Sequence, residues 1–263
     1  MRKTGAQNIT ELDKSQHPKV KTAIPQQTVT MERPPYNPPS EPEGLRNPGT
    51  ARAHIAATPA APGGTPGWRD EHAHQTVLQQ HVLFFDPDGD GVIWPLDTFW
   101  CFYALGFNVF LSIFAVFVIH PTFTYVTCPG WLPDPFLRVW TGSIHKGKHG
   151  GDTGAYDSEG RFIPHKFEDW FSKYGKGKDG VTLGDVFDAH KGQRVIFDPI
   201  GWTAEMLEWL ATYVMLWPED GVMKKEDCRR VYDGSIFYDI AMERIGTTNP
   251  RGQWKKKPND WAW

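Results

Sequence analysis

The sequence lacks an excess of charge of either sign. Its 263 residues carry 28 Lys and Arg against 31 Asp and Glu, a formal net charge of −3. No global field therefore points to nucleic acid as a partner. Cysteine is scarce: Cys101, Cys128 and Cys228 are odd in number, widely spaced and form no C-x-x-C. That argues against a disulfide framework and a zinc site, and it fits a reducing compartment. No apolar segment follows Met1-Arg-Lys, so a secretory signal is not expected. Residues 1–70 have few large apolar side chains and hold half of the 22 prolines. Such a segment cannot bury enough surface to offset its ordering entropy, and it is expected to be a disordered arm. One later stretch lacks charge altogether: no Asp, Glu, Lys or Arg occurs between Thr98 and Pro133.

What is present is organised around Asp86-Pro-Asp-Gly-Asp-Gly-Val-Ile-Trp-Pro-Leu-Asp97. Asp86, Asp88 and Asp90 stand at positions one, three and five of a twelve-residue loop. Gly91 takes the sixth place, where the chain must turn, and Val92 at the seventh offers its carbonyl. Ile93 at the eighth is of the apolar type through which such loops pair. A hard cation needs six to eight oxygens, and this spacing converges them. Position twelve is Asp97, where a Glu usually binds calcium with both oxygens. The shorter side chain lowers affinity or lets Mg²⁺ compete. The bland alternative is an Asp/Gly-rich surface turn. Val77, Leu78, His81, Val82 and Phe85 recur at helical spacing and make the entering helix. His81 shares its inward face, where a lone histidine is by default a satisfied core residue.

The uncharged run admits three readings: a transmembrane helix, a core helix of a soluble domain, or a monotopic hairpin. The hairpin is favoured. About 20 apolar residues suffice to reach across a bilayer core, but His120-Pro121 interrupts the run. Cys128-Pro-Gly-Trp-Leu-Pro-Asp-Pro135 then turns the chain. Tyr125 and Trp131 suit an interface.

Beyond it, Ile144-His145-Lys-Gly-Lys-His149-Gly-Gly reads as a Gly-rich basic loop. Asp152 to Phe162 looks like a cation loop that has lost its chemistry. No second calcium site is expected there, despite Glu168 at its twelfth place. Phe167–Tyr174 is a short amphipathic helix, and Thr182 caps the next one. Trp202–Leu216 is a long apolar helix. Pro218-Glu-Asp-Gly-Val-Met resembles the tail of a third cation loop, kept as a pairing relic. Lys224–Tyr238 reads as helical, and residues 246–263 as a tail. Ser235 reads as a buried serine rather than a phosphosite.

The order of these parts resembles the caleosin family. The likeness is carried by the single loop after Leu78-Gln-Gln-His-Val, the charge-free segment, a proline-rich turn, Ile-His-Lys-x-Lys-His-Gly and Tyr-Asp-x-Glu-Gly-Arg-Phe. Gly-Trp-x-Ala-x-x-x-Glu-Trp (201–209) and Tyr-Asp-Gly-Ser-Ile-Phe (232–237) add to it. It runs from about residue 76 to about 240. Two departures stand out: Asp97 for Glu, and prolines 121, 129, 133 and 135 spaced more loosely than the proline knot of plant members.

The resemblance implies a mainly α fold. An EF-hand-type helix–loop–helix unit (71–98) would follow the arm. A lipid-inserting apolar helical hairpin (99–135) and a helical domain with a degenerate EF-like half (136–245) would complete it. It implies Ca²⁺ and haem b as cofactors, and location at lipid droplets and the associated endoplasmic-reticulum membrane, on the cytosolic face. It implies peroxygenase activity on fatty-acid and hydroperoxide substrates: epoxidation, hydroxylation and sulfoxidation. The metal residues would be Asp86, Asp88, Asp90, Val92 and Asp97. Haem binding maps to His81 and His149, with His145 a third catalytic candidate. The resemblance leaves room for a homo-oligomer.

A peroxygenase needs one haem face open, so the two histidines should not both stay on iron. His81, on a helix tied to the cation loop, is the better proximal ligand. His149, on a loop, can act as acid–base. Lys146 and Lys148 could pair with haem propionates or a substrate carboxylate, or simply be solvated. Cys128-Pro129 is the rival, thiolate chemistry. A calcium-responsive structural protein of lipid droplets, without catalysis, is the alternative function.

Overall fold

A computed structural model of the chain describes residues 51–245. Residues 1–50 of the expected arm and the expected tail, 246–263, lie outside the described residues. Residues 51–70 belong to the packed fold, so order begins before Glu71. Arg52 bridges to Phe162, and Ala56 and Ala57 are buried. Proline content hid this, because the segment is held by side chains from elsewhere. Arg229 donates to the Ala56 carbonyl at 3.1 Å and to Thr65 Oγ1 at 2.8 Å.

After a single turn, α1 (Trp68–Glu71), helix α2 spans Val77–Leu83. Thr76 starts it with a capping box: its Oγ1 accepts from Gln79 N–H, and Gln79 returns the bond to Thr76 N–H. The acidic loop follows, then β1 (Val92–Ile93) and α3 (Pro95–Ala104), with proline at the first helical position. Helix α4 (Val109–Thr127) is the apolar one, 19 residues and long enough to cross a membrane by length and composition. It packs against α3.

Two features differ from the sequence expectation. The apolar run already reverses once at Leu105–Asn108, where Gly106 has φ 90°, before the helix ends at Thr127 ahead of the later prolines. Pro121 does not end α4 but lies inside it. The Thr122 hydroxyl covers nearby backbone, donating to the Val118 and Ile119 carbonyls at 2.7 and 2.9 Å.

Strand β2 (Val139–Trp140) pairs antiparallel with β1, Val92 opposite Trp140. A 3-10 turn (Thr141–Gly147) then packs against α2 and α4. The C-terminal part repeats helix, loop, strand, helix twice: α5 (Pro164–Gly175), β3 (Gly180–Thr182), α6 (Leu183–Gln193), then α7 (Pro199–Leu216), β4 (Val222–Lys224), α8 (Lys225–Tyr232). Strands β3 and β4 pair antiparallel, Val181 opposite Met223. The relic read at Pro218 therefore does pair, and Thr182 caps α6 as expected. Glu168 is turned to Lys225 at 2.7 Å. The expected helix Lys224–Tyr238 is broken: Gly234, φ 75°, separates α8 from α9 (Ser235–Ile245).

One core gathers Phe162, Phe167, Trp170, Val181 and Met223 around the C-terminal strand pair. Another joins Phe84 and Leu105 to Ile236 and Phe237. A third, Val82, Ile93, Val139 and Ile144, sits under the β1–β2 pair. The helices flanking the acidic loop are thus packed against α9, and β1 against the histidine-bearing turn.

Candidate functional site

In the acidic loop, oxygens of Asp86, Asp88 and Asp90 lie within 4.8 Å of one another. Backbone geometry gathers them. Gly89 and Gly91 N–H donate to the two Asp86 carboxylate oxygens at 3.0 and 2.9 Å. Val92 N–H donates to Asp90 at 2.7 Å. Gly91, φ 85°, makes the turn that a side chain would oppose. Asp97, in the first turn of α3, accepts from Trp94 N–H at 2.9 Å. Burial pushes Asp86 up to about 7 against the Gly91 N–H, and Asp88 and Asp90 add to the rise. Burial pushes Asp97 up to about 6, again with Asp88 and Asp90 contributing. Crowded carboxylates that resist ionising together are a site for a positive ion, and an all-oxygen donor set suits calcium or magnesium.

Helix α2 enters this loop and carries His81. Its Nδ1 lies 2.7 Å from the Val231 carbonyl oxygen. The ring meets Phe237 edge-on, centroids 5.3 Å apart. Close approach is possible because the turn above is glycine. A Cβ on Gly234 would stand 2.5 Å from the Gln80 carbonyl oxygen and 3.0 Å from the His81 Cα. Burial lowers the His81 pKa; the Val231 carbonyl, Glu208 and Asp233 oppose it and lose. The imidazole is therefore neutral. With Nδ1–H donated to Val231, the lone pair falls on Nε2, which has no hydrogen-bond partner among the described residues. A histidine whose second nitrogen is held by a backbone carbonyl is the usual form of a metal-ligating imidazole.

His149 is built the opposite way. Its Nδ1 faces the Gly150 carbonyl at 3.0 Å and its Nε2 faces Glu208 at 3.2 Å. Both partners are acceptors, so both nitrogens carry protons. Burial pulls this imidazole down, but the Glu208 carboxylate, the Gly150 carbonyl and Asp152 outweigh it, and the pKa is pushed up to about 9. The loop is pinned to the start of α7: Asp198 accepts from both Gly150 and Gly201 N–H. A Cβ on Gly201 would stand 2.4 Å from the Gly150 carbonyl oxygen, so only glycine fits.

His145 is half-buried on the 3-10 turn that packs against α2. Lys148, read as a partner for propionates, is taken by the Tyr156 carbonyl and by Asp152 at 3.5 Å. Lys146 is exposed. Cys128, the thiolate rival, donates to the Leu132 carbonyl at 3.6 Å. Ser235 is buried between Thr65 and Arg230.

The field of Glu208 reaches both His81 and His149. Sequence reasoning named neither Glu208 nor the Val231–Phe237 cradle as functional. The signal was there: Glu208 is the acid of Gly-Trp-x-Ala-x-x-x-Glu-Trp, and the cradle is Tyr-Asp-Gly-Ser-Ile-Phe with Val231 before it.

Outside this site, α4 and the segment after it expose Phe110, Phe117, Trp131 and Leu132 to between 73 and 95%. Soluble monomers seldom leave so many large apolar side chains uncovered together.

Comparison with known proteins places these features. The family model described as "Caleosin related protein" matches residues 73–241. A protein of Lilium longiflorum named "Peroxygenase" is 41% identical over 207 residues, 78% of this chain and 86% of that protein. "Probable peroxygenase 4" of Arabidopsis thaliana is 33% identical over 175 residues, 66% of this chain and 90% of that protein. A "Probable inactive peroxygenase-like protein" of the same plant is 29% identical over 162 residues, 60% and 75% of the two chains. No solved structure matches.

Proposed function

The chain belongs to the caleosin family, and from that premise we propose that it is a calcium-dependent haem peroxygenase of lipid surfaces. The oxidoreductase class rests on the peroxygenase names of relatives that align with most of the chain. The finer reading is that one oxygen passes from a fatty-acid hydroperoxide to an unsaturated fatty acid or small aromatic. Its place is the lipid droplet or associated membrane.

The observation that carries this is the contrast between the two histidines. His81 is neutral, oriented by Val231 and has no partner for Nε2 among the described residues, so it would be able to hold haem iron. Haem bound there supplies an iron at which the O–O bond of a hydroperoxide can be split. His149 is an imidazolium, which suits a proton donor to the departing alkoxide, so that the hydroperoxide leaves as an alcohol. Glu208 stabilises that cation until the proton is given and draws a replacement afterwards. Asp86, Asp88, Asp90, Val92 and Asp97 would hold a Ca²⁺, which would brace the exit of α2 and so the pitch of His81. The exposed face of α4 supplies the lipid contact.

The second reading is a calcium-binding structural protein of lipid droplets without catalysis. It is favoured by the relative named as inactive. Purified protein supplied with haem separates the two. A Soret band and hydroperoxide-dependent epoxidation of oleate are expected, with the band weakened by a calcium chelator. A colourless, inert protein would leave only the second reading.

A further inference from the structure

The connection between α6 and α7, Arg194 to Asp198, carries an apolar tip that the proposed function does not use. Val195, Ile196, Phe197 and Ile200 are exposed to 46, 81, 88 and 70%. A loose loop would fold such side chains down. This one is held open. Trp202 Nε1–H donates to the Val195 carbonyl at 2.8 Å, and Arg194 N–H to the His190 carbonyl at 3.0 Å. Asp198 accepts from Gly201 and Gly150 N–H at 2.8 and 3.0 Å. Phe197 has φ 54°, a conformation that bulky residues avoid, and it directs a phenyl ring into solvent.

The exposed charges beside the tip are basic. Lys191 and Arg194 are exposed beside it, and the Arg194 guanidinium lies over the Trp202 ring at 5.8 Å. Between Lys191 and Ile200 the sole acid is Asp198, and both its oxygens are committed to backbone N–H donors. An apolar tip within a basic rim complements an anionic bilayer surface: acyl chains accept the tip, and headgroups meet the rim. A groove in a protein partner would explain the tip without the rim.

We infer that the α6–α7 loop is a second lipid contact, separate from α4, in which Ile196, Phe197 and Ile200 enter an anionic phospholipid surface and Lys191 and Arg194 meet its headgroups. The loop is joined to the His149 loop through Asp198 and Gly150. A substrate dissolved in that lipid therefore arrives beside the candidate acid.

The test uses the full chain with Cys128→Ser, since Cys101 and Cys228 are buried. A cysteine replacing Ile196 carries an environment-sensitive fluorophore, and a parallel protein carries it at Phe110 on α4. On adding phosphatidylcholine vesicles with one-fifth phosphatidylserine, the label at 196 is expected to shift to the blue. The shift should shrink with pure phosphatidylcholine or with Lys191→Gln/Arg194→Gln. Phe197→Asp should weaken vesicle binding on the order of tenfold. It should raise KM for vesicle-borne oleate and leave kcat for a water-soluble aromatic unchanged. An unshifted label at 196 beside a shifted label at Phe110 overturns the inference and spares the α4 contact. A label at 196 already blue without vesicles and unchanged by them overturns it too, since the tip is then covered by another part of this chain or a second copy.

Discussion

Nε2 of His149 lies 3.2 Å from a carboxylate oxygen of Glu208, while Nδ1 of the same ring faces the Gly150 carbonyl. The pair makes His149 a cation at neutral pH. The folded pKa, about 9, stands above the ordinary 6.5. The resulting stabilisation is complete below pH 6.5 and is lost as pH rises through about 9. Glu208→Gln removes the main opposing influence and leaves burial to act. The alkaline limb of the activity profile should then move to lower pH, which a pH–kcat series would detect. His149→Gln should cost roughly 10²–10⁴ in kcat while haem absorption survives.

His81→Ala should abolish the Soret band of the haem-supplied protein, because the neutral, carbonyl-oriented imidazole goes with it. Absorbance at equal protein concentration measures this. An intact band would move the iron-holding role to another residue.

Gly234→Ala should act on the same histidine without touching it directly. Its Cβ would stand 2.5 Å from the Gln80 carbonyl oxygen, at φ 75°. The left-handed conformation alone costs an alanine about 1–2 kcal/mol. A lowered denaturant midpoint together with an altered haem spectrum is expected.

Asp97→Glu restores the longer carboxylate in the cation loop and should tighten calcium binding. Asp90→Asn should weaken it. Titration calorimetry reads both, and the same chelator series should report on haem retention.

Arg229 is buried among Glu226, Asp233, the Ala56 carbonyl and Thr65. Arg229→Ala leaves the buried Asp233 without its cation and should cost about 3–5 kcal/mol of stability by denaturant titration. Residues 51–67 should become open to proteolysis at the same time.

The acidic loop was legible because its chemistry is local: side chains two residues apart, with glycine where the turn needs it. The caps at Thr76 and Thr182 and the pairing of the relic at Pro218 belong to the same class, set by neighbours in sequence. The turn at Gly106 was not legible. One glycine in an uncharged run is weaker punctuation than the prolines beyond it, and α3 packing on α4 decided the matter. Pro121 reads as a break, yet the helix continues past it to Thr127, with the Thr122 hydroxyl bonded to nearby carbonyls. The prolines of residues 51–70 point away from order, yet Arg229, far along the chain, secures the segment. The pairing of His149 with Glu208 spans 59 positions, and no local pattern encodes it.

The carbonyl that orients His81 belongs to a residue 150 positions later. During synthesis this imidazole leaves the ribosome early and waits, unaimed, until Val231 and Phe237 have followed. The acidic loop, by contrast, is complete once Asp97 has emerged. If the proposed reading holds, a nascent chain would thus be able to capture its ion long before it could grip a porphyrin, and the order in which the two are taken up would follow from the order of the chain.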